Sequence, residues 1–292
     1  MADEKYAKIK YKENTGKKLN INEPKTFNEK LWWLKLNNRD SLMTKCSDKL
    51  KVREYVADQG LKEILNPLID SFKKPEEINF SKLPPKAFIK VNHSSGTNYL
   101  WDKDNSMKFN REAFNKKFNK ALESNYYLQS REFNYKDIEP CIIIEDYISD
   151  DTSHGLLDFR FFCFNGKVKI IQVDIDVAGE DGSHNPGSRR NIYDADFNYL
   201  EEVRAKRENF DPNLVQKPKN FNLMKKYAEI LSDPFPFCRV DLYNIKGNII
   251  FGEMTFYPGG GTQIFDPYEW EVKLGDYIDL SSPKIIKNYR NH

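Results

Sequence analysis

Residues 239–261 read RVDLYNIKGNIIFGEMTFYPGGG. Two runs rich in apolar and β-branched residues flank a polar, glycine-containing centre at Asn244–Asn248, which predicts an antiparallel hairpin. A turn near Lys246–Gly247 sets Asp241 and Glu253 approximately opposite each other. Side chains alternate along a strand, so Arg239 shares a face with Asp241, and Thr255 with Glu253. Two facing carboxylates repel unless a cation lies between them. Mg²⁺ takes one or two carboxylates and completes its shell with phosphate oxygens and water. Thr255 adds a hydroxyl, and Arg239 can hold an anion beside the metal. A solvated hairpin also alternates polar residues, but these lie inside runs too apolar for an open face.

Working outward, LDFRFFCFNGKVKIIQVDIDV (157–177) predicts a second hairpin, turning at Asn165-Gly166. Between the hairpins lie a long polar loop, AGEDGSHNPGSRR (178–190), and a helix from Asn222 to Ser232. In the loop, Gly179, Gly182 and Gly187 permit movement, and Arg189 and Arg190 offer anion contacts at its end. DDTSHG (150–155) reads as a linker. Before it, CIIIEDYI (141–148) is a short apolar run ending in acids, a buried strand. Its end can present backbone groups and the Glu145 and Asp146 carboxylates to a nucleoside, or simply mark where a sheet meets solvent. PPKAFIKVNHSSGTNYLWD (84–102) predicts a strand at Ala87–Val91, a loop at Asn92–Asn98 and a strand at Tyr99–Trp101. Lys90 precedes a Ser/Gly loop whose N–H groups can fold over phosphates while the lysine acts as a point charge. By itself this is also an ordinary solvated lysine, and there is neither GxxxxGK[ST] nor GxGxxG. Residues 110–128 and Ser47–Ala57 read as helices. Thr26 with Glu29 forms a capping signal ahead of a helix over 26–40.

The totals bound the class. The 292 residues suit two modest lobes, with 46 Lys+Arg against 44 Asp+Glu. That near balance lacks the one-sided field of a general nucleic-acid binder. No apolar stretch approaches the roughly 18 residues of a membrane span, and the charged N-terminus is not a signal peptide. Cys46, Cys141, Cys163 and Cys238 stand far apart, three of them in apolar runs, as expected of buried reduced thiols. These features lead us to expect a cytoplasmic protein. Its four histidines show no metal-ligand spacing.

Taken in order, PKTFNEKLWWLKL, DKLKVREYV, FIKVNHSSG, DFRFFCFNGKVKIIQVD, RRNIYD and FGEMTFYPGGG resemble the ATP-grasp superfamily, and more closely its TupA-like branch, over residues 20–265. The resemblance implies an α+β ATP-grasp fold, two lobes with antiparallel sheets and covering helices. The expected division is an N-terminal helical segment (1–46), a small lobe (47–149) and a large lobe with the metal site (150–292). It implies Mg²⁺ and ATP as cofactors. Lys49 and Lys90 would contact the phosphates, with Ser94, Ser95 and Gly96 as their lid. Ile144, Glu145, Asp146 and Tyr147 would bind adenosine. Asp241, Glu253 and Thr255 would hold the metal, although the wider superfamily usually has Asn at the Thr255 position. Arg239, with Arg160 and His93 near it, would stabilise transferring charge. A further departure is that only 48 residues precede Lys49, where many relatives carry a whole domain; the helix with Trp32 and Trp33 would supply part of the substrate wall, unless the tryptophans are simply core. The branch resembles proteins of teichuronopeptide, capsule and other surface-polysaccharide synthesis. That implies a ligase joining a small-molecule or glycan carboxylate, such as a uronic acid, to an amine. A sugar or alcohol kinase on the same fold, and a non-catalytic nucleotide- or glycan-binding protein, are the alternatives. Glycosyl transfer is the weakest, Asp174-x-Asp176 being the one DxD left over.

Overall fold

The computed structural model describes residues 2–150, 154–177, 179 and 185–287. Helices α1 (Asp3–Thr15), α2 (Phe27–Asn37), α3 (Ser41–Ser47) and α4 (Val52–Asp58) open the chain. Strands β1 (Leu68–Phe72), β2 (Lys86–Val91), β3 (Asn98–Asp102) and β4 (Ile142–Asp146) follow, with α5 (Arg111–Leu122) and α6 (Tyr126–Ser130) between β3 and β4. These four strands form an antiparallel sheet in the order β1-β4-β2-β3. Strands β5 (Asp158–Phe164), β6 (Lys167–Ile175), β7 (Arg189–Asp194), β8 (Phe237–Ile245) and β9 (Asn248–Thr255) form a second antiparallel sheet, ordered β7-β6-β5-β8-β9. Helix α7 (Phe221–Ser232) packs on it, and α8 (Tyr268–Asp276) packs against α2. This is the expected α+β arrangement of two antiparallel sheets with covering helices.

Both hairpins turn where their sequences require. Asn165 and Gly166, and Lys246 and Gly247, all have positive φ, the conformation of a tight two-residue turn whose twist matches the strands. In the smaller sheet, alternation along β2 sends Ala87, Ile89 and Val91 into a core with Phe114 and Phe118 of α5. Phe88 and Lys90 are left on the opposite face. In the larger sheet, one face packs on α7, where Phe161 stacks against Phe221 at 6.1 Å. The other face is divided along the strands. At its apolar end Phe162, Phe164 and Phe237 surround Phe27 of α2, with ring centroids 5.1–6.1 Å apart. At its charged end lie Asp158, Arg160, Asp241 and Glu253.

The capping box appears as read. Thr26 Oγ1 accepts from the Glu29 N–H, and Glu29 Oε2 accepts from the Thr26 N–H at 3.0 Å. Two helix readings are corrected. The helix expected over Ser47–Ala57 is broken at Asp48, whose carboxylate accepts from the N–H groups of Leu50 and Lys51. That local bond competes with continuing the helix, so Lys49 stands in a turn between α3 and α4. The helix expected over 110–128 ends at Leu122, and Asn125 caps a new one by accepting from the Leu128 N–H. The early helices also pack elsewhere than the sequence suggests. Met43, Cys46, Val52, Tyr55 and Val56 join the core of the larger sheet, so residues 47–58, expected to open the small lobe, share a core with the other one.

Candidate active site

The cleft between the sheets has a volume of about 530 Å³. The smaller sheet contributes Phe88, Lys90, Leu100 and Glu145, and the larger Asp158, Arg160, Asp241 and Glu253. Pairing explains why the first four share a face: Phe88 lies opposite both Leu100 and Glu145. The second set runs as a row across the sheet, Glu253 opposite Asp241, Asp241 opposite Arg160 and Arg160 opposite Gln172.

The hairpin carboxylates meet as the sequence implies. Arg239 Nη2 lies 2.6 Å from Asp241 Oδ2, 3.0 Å from Glu253 Oε1 and 3.0 Å from Thr255 Oγ1. Three oxygens therefore converge on one cationic nitrogen. A hard, all-oxygen donor set around a point of positive charge suits Mg²⁺. Among the described residues there is no group of three or more acids, cysteines or histidines placed to hold a metal. Two carboxylates and a hydroxyl would leave further positions to phosphate and water. Burial pushes the Asp241 carboxyl up to about 6, against the pull of Arg239 and Arg160. Burial also opposes ionisation of Glu253, but Arg239, Lys49 and Arg160 outweigh it and hold that carboxyl below its usual value.

Cations gather on both walls. Lys49 Nζ donates to the Ser94 carbonyl at 2.7 Å. Burial lowers its pKa, Glu253 opposes this and Lys90 reinforces it. Lys90 Nζ lies 2.7 Å from Glu145 Oε2. Ser94, Ser95 and Gly96 also line the cleft, and Gly96 takes a positive φ. Arg160 reaches Asp158 at 2.5 Å, Asp174 at 3.1 Å and Asp241 at 3.8 Å. Asp174 is fully buried and also accepts from Arg190 and Arg207. Burial opposes its ionisation, yet Arg160, Arg190 and Arg207 together hold it at about 2. This buried ion cluster accounts for the leftover Asp174-x-Asp176. Asp176 pairs with His154 and Arg189, so both arginines read as anion contacts, Arg189 and Arg190, already hold carboxylates. Of the loop over 178–190, residues 178 and 180–184 lie outside the described residues, as do 151–153 of the linker.

Four expected site residues do not line the cleft: Arg239 and Thr255 stand beside it, bonded to its carboxylates Asp241 and Glu253, and two others lie elsewhere. His93 is buried, its Nε2 3.1 Å from the Ala121 carbonyl of α5. Burial lowers its pKa, and the ring serves the small-lobe packing. Ile144 points into the smaller core, and its backbone pairs with β1 on one side and β2 on the other. Within that stretch Glu145, Asp146 and Tyr147 do line the cleft. Trp32 is buried with Ala7, Tyr11 and Leu19 rather than walling a substrate site, and Trp33 packs against the larger core.

The structure adds residues that the sequence reading missed. Phe88 and Leu100 form an apolar wall, a placement encoded in the alternation of KAFIKV and NYLWD. Asp158 sits beside Arg160. Asn92 bonds Asp48 at 2.9 Å and the Cys141 N–H at 2.7 Å, tying the Ser/Gly loop to the turn that carries Lys49. No local pattern marks Asn92, because its partners are 44 and 49 residues away.

The sequence matches the family profile described as TupA-like ATPgrasp over residues 29–279. No curated protein matches it. Among solved structures, the ATP complex of a D-alanine–D-alanine ligase from Bacillus anthracis aligns at 15% identity over 89% of this chain and 74% of that one, with a TM-score of 0.43. An L-amino acid ligase from Bacillus licheniformis aligns at 13% identity over 74% and 44%, TM-score 0.42. A phosphoribosylamine–glycine ligase from Thermotoga maritima aligns at 11% over 77% and 52%, TM-score 0.44. The chain thus spans about half the length of the last two.

Proposed function

The chain belongs to the TupA-like ATP-grasp family, and from that premise we propose that it is an ATP-dependent ligase joining a carboxylate to an amine through an acyl phosphate. The observation that carries the reading is the pair Asp241 and Glu253, which line one cleft with Lys49 and Lys90 and converge with Thr255 on one cationic position, Arg239 Nη2. Phosphoryl transfer asks little covalent chemistry of a protein. It needs positioning and positive charge on the transferring oxygens.

Mg²⁺, held by Asp241 and Glu253 with Thr255 beside them, would neutralise phosphate charge and template the transfer. The protein's own groups do the rest. Phe88 and Leu100 receive the base, and Glu145, Asp146 and Tyr147 orient the nucleoside. Lys49 and Lys90 hold phosphate oxygens under the Ser94–Gly96 loop. Arg239 turns from the carboxylates to the transferring group, and Arg160 steadies it from the next strand. A carboxylate substrate is ionised at neutral pH and attacks without a base. An amine then displaces phosphate through a tetrahedral oxyanion facing the same arginines.

Within this reading, the acid is a uronic acid of a glycan or of its precursor, in the synthesis of a surface polysaccharide. The setting is cytoplasmic, and among the described residues no helix is long and apolar enough to cross a membrane. The test is a panel of uronates and primary amines with ATP, followed by ³¹P spectroscopy. A ligase releases phosphate in step with ADP only when acid and amine are both present. ADP without free phosphate, with a stable phosphorylated sugar accumulating, would establish a kinase instead.

A further inference from the structure

Behind the nucleotide cleft lies a second, water-sized cavity of about 20 Å³. Lys49, Lys90, Glu145 and Glu253 belong to both walls, but Arg53 belongs to the inner cavity alone. Arg53 is on α4, whose Val52, Tyr55 and Val56 are anchored in the core of the larger sheet. Its guanidinium crosses to the smaller sheet. Nη1 lies 3.1 Å from Glu145 Oε1, and Nη2 donates to the Asn66 carbonyl at 2.7 Å. The other Glu145 oxygen, Oε2, is 2.7 Å from Lys90 Nζ. Asn66 in turn donates to the Asp146 carbonyl at 2.8 Å. Glu145 is thus shared by two cations, one that faces the nucleotide and one that does not.

This sharing matters because Lys90 cannot serve a phosphate and Glu145 equally. The Glu145 side chain is only 10% exposed. A carboxylate so little hydrated binds a neighbouring ammonium strongly, since water competes poorly for it. Left with Lys90 alone, Glu145 would hold it and neutralise the charge meant for phosphate. A guanidinium fork fixed at its far side by a backbone carbonyl offers the carboxylate a second partner, always charged and already in place.

Resting on the ATP-grasp reading above, we infer that Arg53 is a positioning residue for nucleotide binding: it retains Glu145 from behind so that Lys90 is released to the phosphates. Arg53 does not line the nucleotide cleft. Its effect passes through Glu145, and it belongs to ligands that carry phosphate.

Calorimetric titration of Mg-ATP, with adenosine as the phosphate-free probe, tests this in the full chain. Arg53→Ala and Arg53→Gln should each weaken Mg-ATP about tenfold, or about 1.4 kcal/mol, and weaken adenosine, which meets Glu145 but not Lys90, by less than about twofold. The Gln variant removes the charge but keeps the aliphatic stem and a polar end, so loss of folding in the Ala variant does not end the test. In the Glu145→Gln background the same changes should cost less than about twofold, because the competing carboxylate is gone. Unchanged Mg-ATP affinity, an equal loss for adenosine, or a loss that persists in the Glu145→Gln background would each overturn the inference. Failure of the unaltered protein to bind Mg-ATP is a different result. It would overturn the ATP-grasp reading, and this inference with it.

Discussion

Arg239 is the residue on which the metal reading turns. Its bonds to Asp241, Glu253 and Thr255 mean that a metal must displace a guanidinium already resting among the oxygens. Glu253→Gln should therefore abolish turnover while nucleotide affinity falls far less, because the charge matters most in the transition state. Single-turnover kinetics beside calorimetry checks this; equal losses in both would argue against it. A second pair of residues carries a stability signature. Lys35 is buried, with its Nζ on the Gly260 carbonyl at 2.7 Å. Glu132, also buried, lies near the same glycine, a Cβ on which would stand 3.9 Å from its Oε1. Burial lowers the Lys35 ammonium and raises the Glu132 carboxyl, each against the pull of the other. The raised carboxyl makes folding costlier as pH climbs above the unfolded value of 4.5. The lowered ammonium works in the other sense, and stability returns as pH approaches the unfolded value of 10.5. Denaturation at about pH 5, 7.5 and 10, compared with the double variant Lys35→Met/Glu132→Gln, should show the pair least stabilising at the middle pH. A difference independent of pH would contradict this.

At the scale of elements, the two hairpins and α2 set the geometry. The β8–β9 hairpin places Asp241 opposite Glu253 only while its register holds, and the register depends on Lys246 and Gly247 in left-handed conformations. Gly247→Val puts a β-branched residue at φ 91°. It should lower stability by about 1–2 kcal/mol and weaken metal dependence with it, as measured by denaturant melts and Mg²⁺ titration of nucleotide binding. Helix α2 roofs the apolar end of the same face, and its capping box fixes where it starts. Thr26→Ala should cost about 1 kcal/mol. The neighbouring Gly275 of α8 has no room for a side chain, since a Cβ there would stand 3.0 Å from the Phe27 nitrogen and nearer still to Lys25. Gly275→Ala must therefore push α8 away from α2, a larger loss than removal of the cap; equal melts for the two variants would refute that order.

Over the whole molecule, a net charge of +2 conceals a strongly organised field. Lys49 from the turn between α3 and α4, Lys90 from the smaller sheet and Arg160 from the larger one face one cleft, while the carboxylates that balance them are mostly buried. A ligand bridging both lobes should stabilise the fold by mass action, by about 2.7 kcal/mol at a concentration of 100 Kd. Mg-ATP should thus raise the melting temperature clearly, and ATP with a chelator should raise it less. Equal shifts with and without Mg²⁺ would speak against a metal at Asp241 and Glu253.

Whatever depends on neighbours a few residues apart is legible in the order of amino acids. The period of two along a strand, with Asn165-Gly166 and Lys246-Gly247 as turns, decided both hairpins and the common face of Arg239, Asp241, Glu253 and Thr255. The capping signal at Thr26 decided where α2 begins. The family text extended this to Lys49, Lys90 and the Ser/Gly loop. What joins distant parts of the chain was decided only in three dimensions. His93 read as a site residue near Arg239, yet α5 packs over it and takes its ring. Arg53 falls in a run that reads simply as a helix, yet α4 lies where it meets Glu145, 92 residues on. Lys35 and Glu132 carry no local mark at all. Periodicity assigns a side chain to a face, but only the packing of one element against another decides what stands opposite that face, and charge interactions depend on that separation.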